Sequence, residues 1–257
     1  MTKKKSIEMQ NKIPQLISEK TSFGYVEAYK TLRTNFNFLT ANGKNRTILV
    51  TSALQDEGKS GLAINLAISL VQAGNKVLLV DADMRNPSLH RYLQLKISSG
   101  IGLSTLLTGE VKVGDCLVTT EQGMDVIAGG LIPPNPTELI GSEAMRELLQ
   151  VAAQRYDYVI CDAPPVGVIT DAAALSPLCD GVLFAIRQRF ASKNQVHSAL
   201  RNLQSVNAKI LGTVMTRYSA QKNGKGYGYS RYSRYGRKYG YGYGYGYGYG
   251  YGYRTEK

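Results

Sequence analysis

At 257 residues and 43% hydrophobic content, the chain has material for one sizeable core plus appendages. Its three cysteines, Cys116, Cys161 and Cys179, show no C-x-x-C spacing, which excludes an obvious disulfide or zinc framework and predicts a reduced, intracellular set of packing residues. No window of about eighteen apolar residues free of charge occurs, and no apolar stretch follows the Lys-rich start, so neither a transmembrane helix nor a signal peptide is expected in this soluble chain.

The formal charge of +12 is unevenly placed: residues 217–257 hold nine Lys or Arg against one Glu, a net +8. The basic balance therefore belongs mostly to the C-terminal stretch and not to the folded part.

Residues 1–21 are polar, with Lys3, Lys4 and Lys5 near the start, and read as a flexible lead. From Ser22 to Thr40, Phe23, Val26, Tyr29, Leu32, Phe36 and Leu39 recur every three or four residues, predicting a helix. Glu27, Lys30 and Arg33 share another face of it, and read from the residues alone they form a charge ladder on a solvated surface.

Thr47 to Thr51 is a short β-branched, apolar run and predicts a buried strand. It leads through a polar loop to Gly58-Lys59-Ser60 and then to the apolar-periodic segment from Leu62 to Val71. Strand, loop and helix in that order suit a phosphate, because a helix start presents unpaired N–H groups and the positive end of its dipole. Gly58 lets the backbone approach, Lys59 brings charge to the outer phosphates, and Ser60 offers a hydroxyl to Mg²⁺. The loop from Gln55 through Asp56, Glu57, Gly58, Lys59 and Ser60 to Gly61 is the predicted ATP cradle, although Ala53 stands where the usual pattern begins with Gly.

Val77 to Asp81 is a second buried strand, ending in the alternating acids Asp81 and Asp83. Strand ends of this class gather on one edge of the sheet, where ligands bind. Met124 to Ala128 is a third strand, followed by a proline-dense loop from Gly129 to Leu139 and a helix from Ser142 to Arg155. Tyr158 to Asp162 is a fourth, and its terminal Asp suits a second acid at a metal–phosphate site. A helix from Asp171 to Cys179, a strand from Gly181 to Arg187, a helix from Ser192 to Asn207 and a strand from Ile210 to Thr216 complete the pattern. Strands alternating with helices predict an α/β fold with a mostly parallel sheet covered on both faces.

From residue 218 the composition changes, and disorder is expected to Lys257. Twelve of the 18 tyrosines lie between residues 227 and 253: Tyr227, Tyr229, Tyr232, Tyr235, Tyr239, Tyr241, Tyr243, Tyr245, Tyr247, Tyr249, Tyr251 and Tyr253. An inert tail, a basic–aromatic segment stacking on RNA bases and a cluster of phosphate acceptors are the competing readings. Neither Phe nor Trp is mixed in, and only phosphoryl acceptance requires the hydroxyl, which favours the third.

As a set, these residues resemble the bacterial tyrosine kinases of capsule and exopolysaccharide systems, in particular the free-standing cytoplasmic kinase of Gram-positive bacteria. The resemblance runs from about Ser22 to Thr216 and rests on EAYKTLRTNF at Glu27 to Phe36, VLLVDADMRNP at Val77 to Pro87, PPNPTEL at Pro133 to Leu139 and YDYVICDAPP at Tyr156 to Pro165. It implies a P-loop NTPase-like domain over 22–217, related to the deviant Walker ATPases, and ATP with Mg²⁺ as nucleotide and metal. It implies catalytic roles for Lys59, Asp81, Asp83 and Asp162, with Ser60, Asp81 and Asp162 on the metal side. Glu27, Lys30 and Arg33 match a segment through which members pack into a ring. A membrane adaptor with transmembrane helices, recruitment from the cytoplasm to the inner membrane face, a tyrosine phosphatase acting on the tail, and no nucleic-acid partner are further implications.

The rival class is a positioning ATPase with a binding tail. The additional phosphate-loop lysine of those dimeric switches would fall at Leu54, which is apolar. Thr216 stands where an Asn often touches the base, so the adenine contact stays unassigned.

Overall fold

The computed structural model describes residues 13–40 and 47–219. The chain divides into two units, Met1–Ser219 and Ala220–Lys257. The tyrosine cluster and the disorder expected of the tail lie outside the described residues, as does most of the lead.

The elements run in chain order as α1 (Phe23–Thr40), β1 (Thr47–Ser52), α2 (Lys59–Val71) and β2 (Val77–Asp81), then the short helices α3 (Leu89–Tyr92), α4 (Leu103–Leu107) and α5 (Val113–Cys116). They continue with β3 (Leu117–Thr119), β4 (Asp125–Ile127), α6 (Pro136–Ile140), α7 (Glu143–Arg155), β5 (Tyr158–Asp162), α8 (Asp171–Leu175), β6 (Gly181–Arg187), α9 (Lys193–Ser205) and β7 (Ile210–Thr216). The seven strands form one sheet in the order β3-β4-β2-β5-β1-β6-β7. All neighbours are parallel except β3 with β4.

Strand side chains alternate between two cores, as the period of two requires. Leu49, Val80, Val159 and Phe184 pack with Leu148, Leu149, Leu175 and Leu203 of the helices on one face. Ile48, Val50, Leu79 and Ile160 pack with α2 and Phe36 on the other. α2 is buried continuously from Ser60 to Leu70, and each enclosed Leu or Ile contributes about 1.5–3 kcal/mol. A helix so enclosed is a fixed platform for the loop that starts it.

Several expectations are revised. The sequence pattern does not predict β3, because three residues, partly exposed on an antiparallel edge, carry too little periodicity. The helix expected from Asp171 to Cys179 stops at Leu175 and tightens into a 3₁₀ turn, Ser176–Leu178. Pro177 has no N–H to continue the ladder and its ring crowds the preceding turn. The lead is not loose throughout, because Ile17 is 5% exposed and its N–H donates to Asn65 Oδ1 at 2.8 Å. Asn65 Nδ2 in turn donates to the carbonyls of Gln15 and Gly61, so α2 holds this segment. On α1, Phe36 is buried against Tyr158 with ring centroids 5.5 Å apart, whereas Phe23 and Leu39 of the expected apolar face are exposed.

Candidate active site

Strand order builds the site. β5 lies between β1 and β2, so Asp162 arrives between the phosphate loop that follows β1 and Asp81 at the end of β2. In the register, Asp81 pairs with Asp162 and Asp162 with Val50.

The loop from Gln55 to Gly61 enters α2 through two left-handed residues, Asp56 (φ 61°) and Gly58 (φ 84°). Asp pays a modest steric cost there and Gly none. A Cβ at Gly58 would also crowd Thr216, lying 3.3 Å from its Cβ. The Thr216 hydroxyl donates to the Glu57 carbonyl at 2.5 Å, so this residue braces the loop from beneath. Glu57 is buried; its Oε2 accepts from the Leu54 N–H at 2.7 Å and its Oε1 from the Arg187 N–H at 3.4 Å. The Arg187 guanidinium donates to the Asp56 carbonyl at 3.2 Å and lies 4.5 Å over the Phe190 ring. Leu54 packs against the core. The loop is thus held from β6 and β7, and no side chain caps the start of α2.

Lys59 Nζ donates to Asp83 Oδ2 at 3.1 Å, lies 3.8 Å from Asp162 Oδ1, and is 3.4 Å from Ser60 Oγ. Burial pulls the ammonium pKa down, but the charges of Asp162 and Asp83 outweigh it, so Lys59 is held protonated above its ordinary range. Asp83 Oδ1 accepts from the Asn86 N–H at 3.1 Å, which fixes the turn after β2. Asp81 and Asp162 are both 0% exposed. Asp81 Oδ2 accepts from the N–H groups of Ser88 (2.9 Å) and Leu89 (3.0 Å). Burial first, then the neighbouring Asp162 charge, push Asp81 up to about 7. Burial likewise raises Asp162, with Lys59 opposing.

Asp81 Oδ1 and both carboxylate oxygens of Asp162 are buried without a hydrogen-bond partner. Such orphaned oxygens are costly unless a ligand or ion completes them. With Ser60 Oγ beside them, the donor set is entirely oxygen and suits Mg²⁺, which keeps waters and needs only one or two carboxylates. Among the described residues no group of three or more His, Cys, Asp or Glu forms a self-sufficient metal cage.

The structure therefore brings Lys59, Ser60, Asp81, Asp83 and Asp162 together. It places Glu27, Lys30 and Arg33 elsewhere, on α1. Glu27 and Lys30 form an exposed pair at 2.8 Å, while the Arg33 Nη1 turns inward and donates to the Ser69 carbonyl at 2.5 Å. The sequence places Glu57 in the ATP cradle, but its buried side chain braces the loop instead, and the supporting parts of Thr216 and Arg187 have no local signal because their partners are 130 residues or more away.

A family model described as AAA domain matches residues 46–214. Tyrosine-protein kinase YwqD of Bacillus subtilis is 37% identical over 204 residues, covering 79% of this chain and 85% of that protein. Tyrosine-protein kinase CpsD of Streptococcus agalactiae serotype Ia is 33% identical over 195 residues, covering 75% of this chain and 82% of that one. The solved kinase domain of Escherichia coli tyrosine kinase ETK superposes with a TM-score of 0.72 at 28% identity, covering 89% of this chain and all of that domain.

Proposed function

The chain belongs to the bacterial tyrosine kinases, and on that premise we propose that it is an ATP-dependent protein-tyrosine autokinase that phosphorylates its C-terminal tyrosines in trans and regulates capsule or exopolysaccharide synthesis. One observation carries the assignment of the site: the buried ammonium of Lys59 lies against Asp83 and Asp162, and Asp162 and its neighbour Asp81 carry unsatisfied oxygens.

ATP is the phosphoryl donor, lying on the loop from Gln55 to Gly61. Phosphoryl transfer needs mostly positioning and charge compensation. Lys59 would turn from its carboxylates to the outer phosphates, and the N–H groups at the start of α2 would point at the same oxygens. Ser60, Asp81 and Asp162 would hold Mg²⁺, which would offset phosphate charge. Asp83 would orient the acceptor tyrosine and take the phenolic proton. The phenolic oxygen then bonds to the γ-phosphorus as the bond to the bridging oxygen breaks, and ADP leaves.

Each phosphate adds close to two negative charges, so several overturn the net +8 of residues 217–257. That supports a switch in which phosphorylation weakens packing into a ring through Glu27, Lys30 and Arg33, and a phosphatase resets it. Among the described residues no helix is long and apolar enough to cross a membrane. Recruitment by a membrane adaptor with transmembrane helices fits that observation and the family.

The test is intact-mass analysis after incubation with ATP, Mg²⁺ and an activating adaptor fragment, beside Lys59→Met and a chain ending at Tyr218. Successive phosphate-sized increments in the full wild-type chain alone, mapped to Tyr227 through Tyr253, are expected. ATP consumption with no mass gain would overturn the autokinase reading.

A further inference from the structure

One closed polar cluster beside the site is used by none of the steps above. Arg85, two residues beyond Asp83, forks onto Asp171 at the start of α8, with Nε–Oδ2 at 2.8 Å and Nη2–Oδ1 at 3.1 Å. The same Nη2 donates to Thr137 Oγ1 at 3.0 Å, and the Thr137 hydroxyl donates to Asp171 Oδ1 at 2.5 Å. Asp171 is 2% exposed, so its charge has left water and is balanced within this triangle. The three residues come from three segments, those following β2, β4 and β5, which are neighbours in the sheet.

Thr137 lies in the first turn of α6, at the far end of the loop that leaves β4. The near end is pinned as well. Gly129 has no room for a side chain, since a Cβ there would lie 2.8 Å from Pro87 and 3.6 Å from the Asp81 carbonyl. Its carbonyl accepts from the Ser104 N–H at 3.1 Å. The loop is therefore anchored beside Asp81 at one end and to Arg85 at the other. Between the anchors stand Leu131 and Ile132, 59% and 66% exposed. Leu131 rests on Gly100, where a Cβ would meet it at 3.1 Å. Two adjacent aliphatic side chains that keep most of their surface in solvent on a loop anchored beside Asp81 gain little from folding, and form an apolar patch that suits a partner.

We propose that Arg85, Thr137 and Asp171 are positioning residues that hold the loop from Gly129 to Pro136 on the acceptor side of the site, where Leu131 and Ile132 bear on the ring of the incoming tyrosine. The occupant is the tyrosine-rich segment 227–253 of a second copy of this chain. That segment is composed of tyrosine, glycine and a few basic or serine residues, so its rings are the only large apolar surface it can offer. The inference rests on the tyrosine-kinase reading and adds the surface that selects the acceptor.

The test uses the full chain with the adaptor fragment that activates it, and a synthetic peptide of residues 239–253 as acceptor. Thr137→Val removes the hydroxyl while Asp171 keeps its Arg85 fork, and Thr137→Ser restores it. Ile132→Ser alters only an exposed side chain, so it remains informative if the Val variant misfolds. KM for the peptide is expected to rise about tenfold or more in Thr137→Val and Ile132→Ser, with KM for ATP unchanged in both; the melting temperature should fall in Thr137→Val, which costs the buried Asp171 a hydrogen bond, and stay unchanged in Ile132→Ser. Thr137→Ser is expected to return the peptide KM to the wild-type value.

An equal rise in both KM values, an unchanged peptide KM, or no rescue by Ser would overturn the positioning role and leave the kinase reading standing. A wild-type chain that consumes ATP without labelling the peptide or its own tyrosines would overturn both.

Discussion

Asp81 and Asp162 are register partners at the ends of adjacent parallel strands, and both are fully buried. Two carboxylates so placed cannot both ionise cheaply without a cation between them. Lys59 is the cation among the described residues that reaches this pair, at 3.8 Å from Asp162. The buried carboxylate charge is only partly balanced by Lys59, and the titration of the pair and the removal of Lys59 should both report that.

The melting temperature of the metal-free chain should fall as pH rises from about 4 to about 7. Asp81 is raised from its ordinary 3.8 to about 7, first by burial and then by Asp162. The stability from holding that proton is complete below the ordinary value and is lost as pH passes the raised one. Asp81→Asn should flatten the slope in a pH series of melting curves. Nucleotide with Mg²⁺ should bind more tightly above pH 7 than below it, since metal and proton compete for the same oxygens.

Lys59→Met should lower autophosphorylation by about 10²–10³-fold or more, the scale of losing one preorganised charge partner. The folded chain should persist, because Asp83 retains the Asn86 N–H and Asp162 takes up a proton. Intact mass and far-UV circular dichroism, measured on the same sample, separate these outcomes.

Glu57→Ala should weaken nucleotide binding although Glu57 is not placed against phosphate. The change strands the Leu54 and Arg187 N–H groups and empties a buried site, at a cost of about 1–3 kcal/mol for each unsatisfied group. Calorimetry with an ATP analogue should show the loss of affinity, and a lowered melting temperature should accompany it.

On α1 the three charged residues should separate by role. Glu27 and Lys30 are half-exposed, and such a pair contributes about 0–1 kcal/mol, so replacing both by Ala should leave the melting temperature nearly unchanged. If they serve ring packing, light scattering should show smaller assemblies. Arg33→Ala should lower the melting temperature as well, because its guanidinium ties α1 to the Ser69 carbonyl of α2.

The strand–loop–helix unit at Thr47 to Val71 and the acids Asp81, Asp83 and Asp162 were legible in the sequence because each signal is local. A β-branched run, a Gly-Lys-Ser triplet before an apolar helix and an acid at a strand end are all readable within a dozen residues. Tertiary structure alone decided that β5 would insert between β1 and β2 and set Asp162 opposite Asp81. It alone turned Arg33 inward, aimed Thr216 at Glu57 and joined Arg85 to Thr137 and Asp171. Local pattern specifies which element forms, but strand order and buried hydrogen bonds follow from how elements pack, and partners 36 to 159 residues apart leave no spacing to read.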